Sequence, residues 1–129
     1  MAATGVYGYS SRGMKNRSFA SRLGFALAGI AHALRAERSF RTQVAAAAAV
    51  IVALLWLRPA PIWWAVTGLT SAAVLAVELM NTALEHLADH LHPDQHPSIK
   101  IVKDLGAAAV LVLSLGALVV AGALAWELR

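Results

Sequence analysis

Apolar residues follow two different rhythms along this chain. Between Ser18 and about Arg38, Phe19, Leu23, Ala26, Leu27, Ile30, Ala31 and Leu34 recur at spacings of three and four, while Arg22, His32 and Arg35 take the other positions. That spacing predicts an amphipathic helix over about 18–38, lying on a membrane surface. The same helix packed on a partner in solution is the alternative. Further on the rhythm gives way to three nearly unbroken apolar segments, Val44 to Leu57, Ile62 to Met80 and Gly106 to Trp126. The last two have the roughly 20 residues that a bilayer crossing needs. The first becomes long enough if its helix begins near Thr42 or earlier and Arg41 and Arg58 snorkel at its ends, with Trp56, Trp63 and Trp64 marking an interface. Arg58-Pro59-Ala60-Pro61 then forms a tight turn between crossings.

The expected fold is therefore all-α and integral to the membrane: a surface helix plus three transmembrane helices over about 42–57, 62–81 and 106–126. Residues 17–129 form a single membrane-embedded domain in this reading. Residues 1–16, rich in glycine, serine and tyrosine and without an apolar period, read as a flexible tail. No apolar core follows the early basic residues closely enough for a signal peptide.

Composition sharpens the picture. Of the 129 residues 59% are hydrophobic, 14% are charged and mean hydropathy is +0.63, an apolar share above the roughly 45–50% of soluble proteins. The absence of cysteine excludes disulfides, zinc–thiolate sites and thiol catalysis. A net charge of +4 raises nucleic acid as a partner, but seven of the eleven Lys and Arg lie between Arg12 and Arg41, ahead of the first apolar segment. That placement is a topology signal: it puts the N-terminus and the stretch from about Thr82 to Asp104 on the cytoplasmic side and leaves nucleic acid out. On that side the Asn16-Arg17-Ser18 sequon carries no glycan.

The chemistry concentrates at the end of the second crossing, in Glu78-Leu79-Met80-Asn81-Thr82-Ala83-Leu84-Glu85-His86-Leu87-Ala88-Asp89. On a helix, Glu78, Asn81, Glu85 and Asp89 fall within about 80° of one another. Such a carboxylate stripe needs a divalent metal or a nearby cation to offset its repulsion. Glu85 and Asp89 also read, one at a time, as an ordinary solvated helix end. Glu78 does not, because sixteen residues without a charge, Ile62 to Val77, precede it. A carboxylate at membrane depth is functional by default, as a general base or a proton carrier. Lys100 and Lys103 follow across a short loop; as an alternative to being membrane anchors, they supply the cations that an ATP–magnesium site needs. There is no Gly-rich Walker loop, so a nucleotide site here is not of the P-loop class. His86, His90, His92 and His96 do not make a His-Glu-x-x-His zinc motif and read as interfacial residues. Glu37, among Arg35, Arg38 and Arg41, reads either as a surface ion pair or as a further site carboxylate.

Taken together, these residues resemble the prokaryotic diacylglycerol kinases, a family that includes the undecaprenol kinases. The resemblance runs from Asn16 to Trp126. It rests on Glu37-Arg38-Ser39-Phe40-Arg41, on the Glu78-to-Glu85 core, on Asp89, and on Lys103-Asp104 followed by Gly106-Ala107-Ala108. It implies that Glu78 is the general base for the lipid hydroxyl, with Asn81 its polar neighbour. Glu37 and Glu85 would be the ligands of the magnesium on ATP. Asp89, Lys103 and Asp104 would lie at the nucleotide end, and Arg17, Phe25 and Gly29 on a surface helix that covers lipid and ATP. It further implies a homotrimer in the bacterial inner membrane. Glu85-His86, His96-Pro97 and Lys100 look like the undecaprenol branch, whereas the run from Lys103 to Ala108 looks like the diacylglycerol branch. Diacylglycerol is the expected acceptor and undecaprenol the alternative. Two rivals remain: a small proton-coupled transporter built on Glu78, which leaves Glu85, Asp89, Lys103 and Asp104 unexplained, and a structural membrane anchor.

Overall fold

The computed structural model describes residues 18–94 and 96–129. The expected tail over 1–16, and Arg17, lie outside the described residues. Four α-helices and no strand occur among those described: α1 (Phe19–Ala36), α2 (Arg38–Leu57), α3 (Pro61–Leu91) and α4 (Pro97–Glu127). The last three are long and apolar enough to cross a membrane.

Each helix end has a local cause. Ser18 caps α1 by accepting the Ser21 N–H. α1 stops at Glu37, just after Arg35 in its last turn; the extended backbone of Glu37 (φ −104°, ψ 114°) separates it from α2 by a single residue. The Arg41 guanidinium then donates to the carbonyls of Leu34 and Arg35, at 3.3 and 3.1 Å, and so satisfies two carbonyls at the end of α1. α2 ends in the left-handed conformation at Arg58 (φ 48°, ψ 51°), and Pro61 opens α3 at a position where its missing N–H costs nothing. This is the tight turn expected at 58–61. His96 caps α4 by accepting the Ser98 N–H at 3.2 Å, with Pro97 again in the first turn.

The helices outrun the apolar segments that announced them. α3 continues to Leu91 rather than stopping near 81, and α4 begins at Pro97 rather than near 106. The loop expected between them is correspondingly only 92–96. Hydropathy marks the part of a helix that lipid can cover, whereas the backbone pattern runs on wherever side chains tolerate it. Thirty-one residues in each of α3 and α4 make about 46 Å of helix against a hydrocarbon core of about 30 Å. Each therefore projects beyond the lipid, and the charged positions place that projection at the α3–α4 turn.

Few of the described residues are buried: Ala33, Phe40, Leu54, Val74, Ala88 and Gly106, with Thr67 and Glu78 among the polar ones. Leu118, Val119, Val52 and Val112 are each more than 60% exposed, a surface that water does not tolerate and lipid does. Trp56, Trp64 and Trp126 stand exposed at the end of the bundle opposite the α3–α4 turn, and Trp126 also packs against the Arg129 guanidinium, 5.6 Å from its ring centre. They form an interfacial belt there, which Trp126 joins from the end of the chain.

Candidate functional site

The inward face of α3 carries Thr67, Val74, Glu78 and Ala88 as its buried residues. Asn81 and Glu85, at intervals of three and four from Glu78, share that face and are half-buried. Glu78 is 3% exposed, a depth that only strong packing or a functional demand sustains for a carboxylate. The charges of Glu85 and Glu37 both reach it. Asn81 Nδ2 donates to Glu85 Oε1 at 2.9 Å. Its Oδ1 is buried and has no hydrogen-bond partner among the described residues. Glu78, Asn81, Glu85 and Glu37 thus form one acidic group at the inner end of α3, next to the α1–α2 joint.

Asp89 sits one turn further out and pairs with Lys103 of α4, ammonium to carboxylate. Lys100 bonds Asp104 on its own helix, so the two lysines do not jointly face the stripe as the sequence led us to expect. Asp89, Lys103, Asp104 and Lys100 line a cleft of about 580 Å³ with His92 and His96 at the α3–α4 turn. Phe25 and Gly29 lie on exposed parts of α1, and Arg17 precedes the described residues.

Glu37 is not paired with the arginines around it. Its carboxylate accepts from His86 Nε2 at 3.2 Å, and the His32 ring meets that of His86 edge-on at 5.5 Å. His86 therefore belongs to a helix and to the acidic group, not to an aqueous loop. Nothing local in the sequence marks a contact spanning 49 positions; the one available sign was a histidine directly after Glu85. Among the described residues no three His, Asp or Glu side chains converge as a complete metal site.

A bundle of three helices able to cross a membrane, with a buried carboxylate on one of them and an ion-paired cleft beyond it, defines a membrane protein. The chain belongs to the prokaryotic diacylglycerol kinase family, whose sequence profile matches residues 24–125. A diacylglycerol kinase of Synechocystis sp. is 40% identical over 101 residues, 78% of this chain and 58% of that relative, so the match leaves a large part of the relative uncovered. The undecaprenol kinase of Bacillus subtilis is 36% identical over 67% of this chain and 70% of its own. The diacylglycerol kinase of Escherichia coli is 28% identical over 81% of this chain and 85% of its own.

Proposed function

We propose that this chain is an ATP-dependent lipid kinase that phosphorylates diacylglycerol to phosphatidic acid at the cytoplasmic face of the bacterial inner membrane. The observation that carries the reading is the buried Glu78, one helical turn from Asn81 and two from Glu85, with the ion-paired cleft that holds Lys100 and Lys103 immediately beyond. A lipid hydroxyl reaches Glu78 from the membrane, and a nucleotide reaches the cleft from water.

In this reading the Glu78 carboxylate takes the proton of the lipid hydroxyl as its oxygen attacks the γ-phosphorus in line, and the bond to the β-phosphate oxygen breaks. Lys103 opposes phosphate charge from the α4 side, Asp89 holds Lys103 in place, and Asp104 completes the nucleotide end. Phe25 belongs to the helix that covers lipid and ATP and excludes water, which suppresses hydrolysis of ATP, and Arg17, outside the described residues, is assigned to substrate binding with it. The donor set fits magnesium: hard carboxylate oxygens from Glu37 and Glu85, too few to hold a cation without phosphate oxygens, which is how magnesium commonly sits on nucleotides. Bound there, magnesium neutralises charge on the phosphates. Residues 17–129 act as one kinase domain, and we assign a homotrimer with sites shared between subunits.

Undecaprenol is the second acceptor to test, because the B. subtilis relative bears that name. The transporter reading loses to the kinase one because it leaves the Asp89–Lys103 cleft without a task. Purified protein in mixed micelles with labelled ATP, magnesium and either alcohol decides the matter. Labelled phosphatidic acid supports the proposal; labelled undecaprenyl phosphate alone moves the chain to the other acceptor. No labelled lipid from folded protein overturns the kinase reading.

A further inference from the structure

We propose that His86 is a positioning residue that holds Glu37 ready for the metal–nucleotide; this rests on the kinase reading above. Glu37 stands alone at the joint between α1 and α2, on extended backbone. It is the N-cap residue of α2, yet its side chain makes no cap bond to that helix. Nor does Arg41 take it, since that guanidinium is committed to the carbonyls of Leu34 and Arg35. The carboxylate is drawn instead to α3, where His86 Nε2 lies 3.2 Å from its Oε1.

Because a carboxylate has only acceptors, the ring nitrogen is the donor, and the second carboxylate oxygen is left for another ligand. The ring also packs against that of His32 on α1, with centroids 5.5 Å apart and planes at 74°. His86, itself packed on His32, thus holds one oxygen of a long, flexible side chain. It directly follows Glu85 on α3, the helix that carries the other carboxylate proposed to hold the cation. A hydrogen bond that orients a ligating carboxylate typically changes metal affinity about 10- to 100-fold.

The test uses the full chain in micelles with a non-hydrolysable ATP analogue, Mn²⁺ as the probe and free Mn²⁺ read by electron paramagnetic resonance, while lipid phosphorylation is followed in parallel samples supplied with ATP. His86→Phe keeps a ring against His32 and removes the donor; His86→Gln keeps a donor. We expect His86→Phe to raise the half-saturating Mn²⁺ about 10-fold or more and His86→Gln to recover most of that loss. Adding His86→Phe to Glu37→Gln should weaken binding no further, because the two residues act as one unit. Unchanged Mn²⁺ affinity in His86→Phe, or the same loss with Glu37→Gln already present, overturns the inference while leaving the kinase reading intact. Unmodified protein that binds no Mn²⁺–nucleotide and phosphorylates no lipid overturns both.

Discussion

A Cβ placed on Gly106 falls 2.2 Å from Asn81 Oδ1, so α4 meets α3 without clearance at the level where Asn81 reaches for Glu85. Asn81 is held between that backbone and its own hydrogen bond to Glu85. Gly106→Ala forces the amide aside and takes the Glu85 contact with it. We expect turnover to fall about 10- to 100-fold, the scale of a misplacement of about 1 Å at a reacting centre. Gly116→Ala is the control, since a Cβ there meets nothing within 4 Å, and steady-state kinetics of the two should diverge. Equal turnover in both variants would remove Asn81 from the site.

Glu78→Gln keeps the shape of the side chain and loses the proton acceptor. Turnover should drop about 10²- to 10⁴-fold, the usual worth of a general base. The melting temperature in detergent should hold or rise, because an amide costs less than a carboxylate at 3% exposure. A variant that is both inactive and strongly destabilised would mean that Glu78 serves the fold and not the reaction.

The Lys103–Asp89 pair separates binding from stability in the opposite way. The Asp89 side chain is 64% exposed, so breaking the pair costs at most about 1 kcal/mol of stability. In the cleft, however, an unheld Lys103 meets phosphate poorly, and Asp89→Asn should raise the KM for ATP about 10-fold, the equivalent of about 1.4 kcal/mol. Isothermal denaturation and ATP titration of the same sample check both halves.

Arg58 carries the fold's single left-handed residue among those described. A side chain in that region costs about 1–2 kcal/mol that glycine avoids, less what glycine loses in the unfolded chain. Arg58→Gly should therefore stabilise by up to about 1 kcal/mol, seen as a higher melting temperature, with turnover unchanged because the turn lies at the far end of the bundle.

Much of the fold was legible because it depends on local rules. Apolar length announces a crossing, Pro59 and Pro61 announce the turn, and steps of three and four put Glu78, Asn81 and Glu85 on one face whatever surrounds them. Those are the parts of the site the sequence placed together correctly. It underestimated α3 and α4, because polar residues beyond the lipid continue a helix as readily as leucine does and leave no mark in hydropathy.

Pairings between helices are a different matter. Lys100 and Lys103 look equivalent in the sequence, yet one bonds along its own helix and the other reaches α3. Glu37 sits among arginines in the chain and beside a histidine in space. Which partner wins depends on how α3 and α4 cross and on the angle at the single residue between α1 and α2. The sequence by itself determined the crossings, the turn and the acidic face, because backbone geometry repeats every few residues. Only the tertiary structure decided which cation or donor each carboxylate meets, because such contacts join positions up to 49 apart and are set by helix packing, which has no local period.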